Sequence, residues 1–283
     1  MAGKVMKMTH VFVEGKIDKT RNFGNWEMAK MHAHGFHELY FLLSGTRRYF
    51  VEDTLYDLEQ GDLILIPKNV LHRSVFSSPL AHERYCVYFS DERVRSFAER
   101  AGAEKYDRLI GSRCIKLPAE VSRQVQQELD RMYLEQNSPN ENSHIVMAYC
   151  LENVLLQALC FGEKKEPVTG KSLDRMQEVA HYISEHYASN LTLQDAANIA
   201  HMEATYFSKC FKAATGEGFQ EYLTKIRLRK AEQLLEHSSL SVYKIAEACG
   251  FSNSNYFGDV FRRRKNCSPL QYRKQSRQDR NPA

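Results

Sequence analysis

The sequence predicts an α+β protein: an N-terminal antiparallel β-barrel with a helix pair, then a C-terminal all-α domain with two helix-turn-helix motifs. Near the C-terminus one helical pattern occurs twice, and its aromatic residues recur at a constant offset of 50 positions. The first ~90 residues read instead as short strands between closely spaced turn signals. Positive charge is concentrated in the helical part, where 17 Lys and Arg stand against 12 Asp and Glu from Lys171 onward, a net charge of +5.

The length and the charge limit how the chain is organised. With 283 residues it is long enough for two domains with separate cores, which we place at residues 1–165 and 171–283. The first 170 residues carry 22 basic and 23 acidic side chains, a net charge of −1. The basic excess therefore belongs to the helical domain, where the phosphates of a nucleic acid would lie.

The cysteines and the N-terminus favour a soluble protein of the cytoplasm. The seven cysteines form no Cys-x-x-Cys pair, so they read as reduced thiols. The opening MAGKVMKMTH lacks the apolar segment of a signal peptide, and no apolar run approaches membrane-spanning length. We therefore expect no membrane association.

The strands of the barrel come from four segments. VFVEG alternates apolar and polar residues, HELYFLLSG and TRRYFVEDTLYDL are rich in aromatic and branched residues, and GDLILIP is an apolar run bounded by turn residues. No long helical pattern interrupts them. A small antiparallel barrel or jelly roll follows from this pattern.

Histidines in these segments recur at a defined spacing. The pattern H-x-H-x3-E-x6-G is followed by G-x5-P-x4-H, and it contains His32, His34, Glu38 and His72. This spacing resembles the two motifs of the cupins, although Asn69 replaces a glycine and Phe76 an asparagine of the second motif. The resemblance implies a cupin-like barrel, and in metal-binding cupins the four residues would be metal ligands.

Two interpretations of this polar set remain open. Three imidazoles and one carboxylate suit Fe, Mn, Ni, Cu or Zn, and period-two spacing directs them to one face of a strand. The alternative is a polar barrel mouth whose residues hydrogen-bond one another or a ligand. We expect the second arrangement, with no cofactor and little bound metal.

Neighbouring residues of the same parity extend the set. Tyr40, and Arg47 and Tyr49 on the next strand, would face the interior with it, where rings beside hydrogen-bonding groups suit a sugar-sized ligand or equally a plain core. His37 is out of phase and is expected to face solvent. Trp26 is expected to anchor the first strand.

Beyond about Asp91 the pattern becomes helical. Two apolar stripes, one starting at Val121 and one containing Leu151 and Leu155, predict an antiparallel helix pair over Glu120 to Phe161. Such a pair either mediates dimerisation, in which case we expect Leu151 and Leu155 to contribute to the interface, or packs against the barrel. The charged stretch from Glu163 to Lys171 is the predicted linker.

The two copies of the C-terminal pattern each predict a short helix, a tight turn and a longer helix. In the second copy Ser241 is the expected N-cap of the first helix, Gly250 supplies the turn and Ser252 caps the second helix. The connecting helix, Phe219 to Leu235, has an apolar stripe at Phe219, Leu223, Ile226 and Leu234. Its rise of roughly 25 Å, with the width that helix packing adds, allows the two recognition helices to lie about 34 Å apart, the repeat of consecutive major grooves.

The outward faces of the two longer helices are polar and narrow, as entry into a major groove requires. Their positions follow the helical spacing i, i+3, i+4 and i+7. The residues expected to bind DNA are Thr205, Ser208, Lys209, Lys212, Ser254, Asn255, Asp259 and Arg262.

The last hundred or so residues resemble the AraC/XylS transcription regulators. The resemblance rests on Gly250-Phe251, on Tyr256-Phe257 and Phe261, and on Ser268-Pro269 before Tyr272-Arg273. His201 stands where the first turn of the family has glycine, which puts the conformation of that turn in question. The resemblance implies DNA binding, activation through RNA polymerase and a homodimer.

The leading hypothesis is a ligand-responsive regulator that binds specific DNA and responds to a sugar or related metabolite. The rival hypothesis is a metal-dependent cupin enzyme with an accessory DNA-binding domain. The sequence supplies neither a catalytic nucleophile nor a cofactor loop, so we do not expect an enzyme.

Overall fold

The structure, a computed structural model, describes residues 14–22, 28, 31–75, 81–111, 113–168 and 171–278. Trp26, Phe76, Gly170 and the first three residues of VFVEG lie outside the described residues. The anchoring role expected of Trp26 therefore stays a prediction. The chain divides into two compact units, the first made mainly of residues up to Val168 and the second mainly of the residues after it.

The first unit is built on two β-sheets. Its strands are β1 (Ile17–Asn22), β2 (His37–Ser44), β3 (Arg47–Val51), β4 (Thr54–Leu58), β5 (Leu63–Ile66), β6 (His72–Val75), β7 (His82–Phe89), β8 (Cys114–Lys116) and β9 (Glu163–Lys164). One sheet has the order β1-β7-β2-β5-β8-β9 and the other the order β4-β3-β6. The pairings of the larger sheet, and that of β3 with β6, are antiparallel. The predicted sheet-rich, cupin-like domain is confirmed.

The larger sheet is buried on both faces. Along β2, Leu39 and Phe41 belong to a core shared with helices, whereas Tyr40 and Leu42 belong to a second core between the two sheets. Burial on both faces explains why β5 reads LILI, a continuous apolar run without alternation. The interior between the sheets is the space into which polar side chains also point.

Four helices cover the outer face of the larger sheet: α1 (Asp91–Ala101), α2 (Ala103–Gly111), α3 (Ala119–Asn137) and α4 (Ser143–Phe161). Asn153 of α4 donates to Glu128 of α3 at 2.7 Å, and Ser143 donates to Glu135 at 2.6 Å. Later residues of α4 thus meet earlier residues of α3. The predicted antiparallel helix pair is confirmed.

Helix α4 corrects the expectation that no run reaches membrane-spanning length. By length and composition alone, Ser143–Phe161 could cross a membrane. Its residues Leu151, Val154, Leu155 and Ala158 are buried in the core shared with the sheet. One side of the helix is therefore apolar because it packs in the core, whereas Ile145, Tyr149, Leu156 and Phe161 are exposed.

The predicted linker is partly structured. Glu163 and Lys164 form β9, which pairs with β8 at the edge of the larger sheet. Lys165 forms an ion pair with Asp62, and the Val168 amide donates to the Leu55 carbonyl at 2.8 Å. The first six residues of the stretch therefore belong to the first unit, because backbone hydrogen bonds at a sheet edge fix them there.

The second unit is all-helical, as predicted. Its helices are α5 (Lys171–His186), α6 (Leu193–Ile199), α7 (Ala204–Thr215), α8 (Phe219–His237), α9 (Val242–Ala248), α10 (Ser254–Lys265) and α11 (Pro269–Gln278). Along the connecting helix α8, Phe219, Leu223 and Ile226 are buried, and Leu235 completes the stripe in place of the half-buried Leu234. The core of the second copy includes Leu235, Ile245, Phe257 and Phe261.

Candidate effector site and nucleic-acid interface

Polar side chains line the interior between the two sheets. They occupy alternate positions of β2, β3, β6 and β7, because successive side chains of a strand point to opposite faces. The set comprises Glu38, Tyr40, Arg47, Tyr49, His72, Ser74, Arg84 and Cys86, all buried. Such a group is unusual in a core and marks the interior as a candidate effector site.

The four residues of the cupin-like pattern come together at one end of this interior. Nε2 of His34 lies 3.0 Å from Oε2 of Glu38, and Nε2 of His72 lies 3.6 Å from the same oxygen. The rings of His32 and His72 have centroids 4.2 Å apart. The spacing of the sequence motif therefore predicted this cluster.

Hydrogen bonds to the backbone fix the tautomers of two of these histidines. Nδ1 of His34 lies 2.8 Å from the Phe36 carbonyl oxygen, and Nδ1 of His72 lies 2.9 Å from that of Val70. A carbonyl oxygen only accepts, so each Nδ1 carries the proton. In a neutral ring Nε2 then presents a lone pair, and both lone pairs are directed towards Glu38.

Glu38 contributes a negative charge to this cluster. Burial would raise its pKa, but the contacts with His34 and His72 outweigh burial and hold the pKa of Glu38 well below its usual range. Two lone pairs and an anionic oxygen converge, so either a proton or a cation has to lie between them. Self-contained hydrogen bonding, which we expected from the sequence, needs an imidazolium here.

A divalent transition-metal ion fits the donor set. The candidate ligand atoms of His32, His34 and His72 all lie within 4.8 Å of one another, and Glu38 supplies an oxygen beside them. Nδ1 donors on backbone carbonyls are the outer contacts that orient metal-bound histidines. Nitrogen and carboxylate donors suit Zn, Ni, Co or Fe, and such an ion would supply a positive charge that binds a ligand oxygen.

The remaining expectations for the interior had mixed outcomes. Tyr40, Arg47 and Tyr49 face the interior, as their parity indicated. Arg84 and Cys86 were missed, although alternation along HERYCVYF gives them the parity of the interior. The interior polar set is thus larger than the sequence pattern suggested.

The expectation for His37 was wrong. Its side chain is buried, its Nε2 lies 2.9 Å from Oδ1 of Asp91, and its ring stacks on Phe89. The residue does point away from the interior, but helices cover that face of the sheet. Because His37 is out of phase with Glu38 and Tyr40, its side chain lies on the face of the sheet that the helices cover.

The second helix-turn-helix motif consists of α9 and α10. Ser241 caps α9 by accepting from the Lys244 amide at 3.2 Å, as predicted. Gly250 has φ +78° and ends the helix, and Phe251 packs on Phe257 with ring centroids 5.0 Å apart. Asn253, and not Ser252, caps α10, because its side chain accepts from the amides of Asn255 and Tyr256.

The first motif consists of α6 and α7 and forms a comparable turn. Thr192 and Asp195 form a capping box at the start of α6. His201 has φ +52° and occupies the left-handed region that Gly250 occupies in the other motif. Glu203 caps α7 through the amides of Thr205 and Tyr206.

The residues expected to contact DNA lie on one face of each recognition helix, α7 and α10. The inner faces are anchored by Phe207 and Phe211 in α7 and by Phe257 and Phe261 in α10, which are fully buried. Of the predicted residues, the following are exposed: Thr205, Lys209, Lys212, Asn255, Asp259 and Arg262. Ser208 and Ser254 are half-buried.

Two tyrosines at equivalent positions were missed as candidate contacts. Tyr206 is 59% exposed and Tyr256 is 53% exposed, each in the first turn of its recognition helix. Their recurrence at the offset of 50 was visible in the sequence, where they read as part of the core pattern. Exposed rings at both positions are available to a DNA backbone.

Comparisons with known proteins agree with both parts of the fold. A family described as a helix-turn-helix domain matches residues 196–275, and one described as an AraC-like ligand binding domain matches residues 20–150. The HTH-type transcriptional activator RhaR of Mannheimia succiniciproducens is 23% identical over 244 residues, which are 86% of each chain. The activator RhaS of Escherichia coli O1:K1 / APEC is 24% identical over 254 residues, again 86% of each chain. Among solved structures, the DNA-binding domain of AdpA in complex with a target DNA is 31% identical, with a TM-score of 0.36 over 38% of this chain and 96% of that chain.

Proposed function

Because this chain belongs to the AraC/XylS family of ligand-responsive transcription regulators, we propose that it binds DNA through α7 and α10 when its barrel interior holds a small effector. The observation that carries this proposal is the equivalence of the two recognition helices. Each presents exposed polar residues on one face and two fully buried phenylalanines on the other. Two such helices joined by α8 suit two successive major grooves.

The side chains divide by the kind of DNA contact that they suit. Lys209 and Asn255 are exposed near the middle and the start of their helices, where a side chain reaches a base edge. Thr205, Ser208, Ser254 and Asp259 complete the base-facing set. Lys212 and Arg262 lie one turn further along and are assigned to phosphates.

The effector site is assigned to the interior between the two sheets. Hydrogen-bonding groups beside Tyr40 and Tyr49 suit a small polar metabolite of about the size of a sugar. We assign no catalytic role to His32, His34, Glu38 or His72, since the relatives are transcriptional activators.

The metal-binding interpretation has a direct test. Added Zn²⁺ or Co²⁺ should raise the melting temperature of chelator-treated protein, because binding couples to folding. His72→Gln should remove this stabilisation and the visible absorption of bound Co²⁺, while the exposed His144→Gln on α4 should retain both. No response of the native protein to either ion would show that a proton holds the cluster together.

We propose that the chain acts as a homodimer through the outer face of the helix pair. Leu151 and Leu155, which the sequence suggested for this role, are buried in the core and cannot contact a partner. The exposed apolar residues are instead Leu134, Ile145, Tyr149, Leu156 and Phe161. Ile145 and Tyr149 also line a cavity of about 290 Å³ with Glu128, Arg131 and Asn153.

Sedimentation of two variants tests the dimer. Tyr149→Asp should shift full-length protein towards monomer and leave its melting temperature nearly unchanged, because the ring is 67% exposed. Leu151→Asp should instead unfold the first unit. A native protein that stays monomeric with and without DNA would contradict the proposal.

Activation by contact with RNA polymerase and a cytoplasmic location complete the proposed function. The named activators among the relatives support both. The DNA-binding part is tested by mobility shifts of full-length protein on duplex DNA over a range of salt. Affinity should fall linearly with log salt as counterions are released, and protein that ignores duplex DNA at low salt would contradict the function.

A further inference from the structure

Two arginines are buried in the interior between the sheets. Arg47 on β3 is 1% exposed and Arg84 on β7 is 6% exposed. Nε of Arg47 donates to Oγ of Ser74 at 2.5 Å. Arg48, the next residue along β3, points the other way and forms a two-bond ion pair with Asp57 at 2.6 and 2.7 Å. The two neighbours on one strand thus meet very different surroundings.

Arg84 has no carboxylate partner among the residues that the structure describes. Its recorded neighbours are Sγ of Cys86, which accepts from Nη1 at 2.5 Å, and the ring of Tyr40, whose centroid lies 5.4 Å from Cζ. A thiol sulfur is a weak acceptor for a guanidinium.

A buried guanidinium without an anion is costly, because it cannot lose its proton and cannot be hydrated. Proteins retain such a group where something else supplies the anion. The nearby carboxylate of Glu38 is engaged by His34 and His72 and reaches Arg84 only through Cys86, whose Sγ lies 3.4 Å from Oε1. Glu38 therefore does not pair directly with Arg84.

Two hydroxyl groups in the same interior also lack partners. The hydroxyl oxygens of Tyr40 and Tyr49 are buried and make no hydrogen bond with any residue that the structure describes. Their rings are 4.8 Å apart, and each phenol can donate a hydrogen bond. Buried hydroxyls of this kind are nearly always paired in a folded protein.

The remaining titratable neighbour adds no competing charge at neutral pH. Burial, together with Arg47 and Arg84, lowers the pKa of His82 to about 4. Its imidazole is therefore neutral in the cell. The positive charge of Arg84 therefore has no paired anion among the described residues.

We propose that the effector is a small hydroxylated carboxylate, whose carboxyl group pairs with Arg84 and whose hydroxyls bond to Tyr40 and Tyr49. This proposal rests on the proposed function and makes it more specific, because it names an acid as the effector in place of a neutral sugar. A guanidinium binds a carboxylate through two parallel hydrogen bonds. Burial strengthens that pair and makes the site reject the neutral analogue, which would leave Arg84 without an anion.

Thermal unfolding and titration calorimetry of full-length protein test the proposal with matched ligand pairs. The probes are glucuronate with glucose, galacturonate with galactose, and the short acids glycerate and lactate, with inorganic phosphate as a second oxyanion. The acids should raise the melting temperature, and the neutral sugars should not. Stabilisation by phosphate alone would assign the site to phosphate esters and overturn the carboxylate.

Variants separate a binding role of Arg84 from a structural one. Arg84→Gln should weaken binding of the acid by about 30-fold or more and should raise the melting temperature of ligand-free protein, since it removes an uncompensated buried charge. Arg48→Gln, on the outward side of β3, should leave acid binding unchanged. Tyr49→Phe keeps the ring and should weaken binding of the acid by several-fold, which provides a second measurement if Arg84→Gln does not fold.

Three results would overturn the proposal: equal stabilisation by acids and neutral sugars, binding of the acid by Arg84→Gln or Tyr49→Phe at native affinity, or no stabilisation by any acid. None of these three results bears on whether the protein binds DNA. Mobility shifts on the same preparations report whether the regulator function stands, so the two failures are distinguishable.

Discussion

The two helix-turn-helix motifs form the same kind of turn, but the two turns differ in sequence and in length. From the recognition helix onward the motifs are offset by 50 positions, as Phe207 and Phe257 show, but their first helices begin at Leu193 and Val242, an offset of 49. The second turn therefore contains one more residue. The extra residue is Ser252, which is exposed.

Backbone hydrogen bonds define both turns in the same way. The amide of His201 donates to the Asn198 carbonyl at 3.0 Å, and the amide of Gly250 donates to that of Glu247 at 2.9 Å. Both donors have positive φ. The turn thus requires a left-handed backbone, which glycine adopts without strain and histidine adopts at a cost of about 1–2 kcal/mol.

The surroundings of the two turns explain why only one needs glycine. A Cβ built on Gly250 would lie 2.7 Å from the Ala188 carbonyl oxygen and 2.8 Å from that of Tyr187. The equivalent His201 carries a whole side chain and is exposed. Glycine in the second motif is therefore required by the close approach of another backbone segment, and not by φ alone.

The largest expected effect follows from this difference. Gly250→Ala should lower the free energy of unfolding by about 2–4 kcal/mol, since it adds left-handed strain to a clash with two carbonyl oxygens. His201→Ala should change it by less than about 1 kcal/mol, because that position already accepts a Cβ. Thermal unfolding followed by far-ultraviolet circular dichroism measures both. Equal losses in the two variants would show that the turns are equivalent after all.

The turns also show which features of the motifs could be predicted from the sequence and which could not. Phenylalanines at a fixed offset, Phe207 with Phe257 and Phe211 with Phe261, predicted both motifs because they fill the core of each. The cap of α10 was misassigned to Ser252, since a one-residue difference in turn length changes no core position. Cap identity depends on where the helix starts, and Asn253 was an equally good candidate by residue type.

The first unit shows the same limit for strands. Period-two spacing predicted that His34, Glu38 and His72 would meet, because parity fixes the face of a strand. Parity does not say what covers the opposite face of the strand, so His37 was expected to face solvent. In the same way, the apolar stripe of α4 does not say what it packs against, so Leu151 was expected at an interface. Both are buried because helices pack on that face, which depends on contacts distant in sequence.

The outward faces of the recognition helices differ in charge. We therefore expect variants of residues on these faces to change DNA binding in different ways. Lys209 and Lys212 make the face of α7 basic, whereas Asp259 and Arg262 offset each other on α10. On a site selected from random duplexes, Lys209→Ala and Asn255→Ala should each cost about 1–3 kcal/mol, and far less on unrelated DNA.

Two further variants complete this measurement. Arg262→Ala should weaken binding to both DNAs about equally and reduce the salt slope by about 1, as loss of a phosphate contact does. Asp259→Asn should tighten binding to unrelated DNA, because it removes the one negative charge of that face. Equal losses for Lys209, Asn255 and Arg262 on the two DNAs would contradict the assignment of bases and phosphates.

The smallest expected effect concerns the caps, which differ in chemistry between the motifs. Glu203 accepts from the amides of Thr205 and Tyr206 at 2.9 and 3.1 Å with a carboxylate. Asn253 accepts from the amides of Asn255 and Tyr256 at 2.8 and 3.4 Å with a neutral amide oxygen. Only the first cap can therefore depend on pH.

The sign of that dependence follows from the pKa. Hydrogen bonds from the two amides lower the pKa of Glu203 below its ordinary value of 4.5, so its stabilisation is fully present above 4.5 and is lost as the pH falls through the folded pKa. The penalty of Glu203→Gln should accordingly shrink at acid pH, whereas that of Asn253→Ala, about 1 kcal/mol, should stay constant. Asp195 caps α6 in both variants, so its own titration cancels when each is compared with native protein. Denaturant unfolding at neutral and acid pH measures the two penalties, and a Glu203→Gln penalty that did not change with pH would mean that its carboxylate charge contributes nothing to the cap.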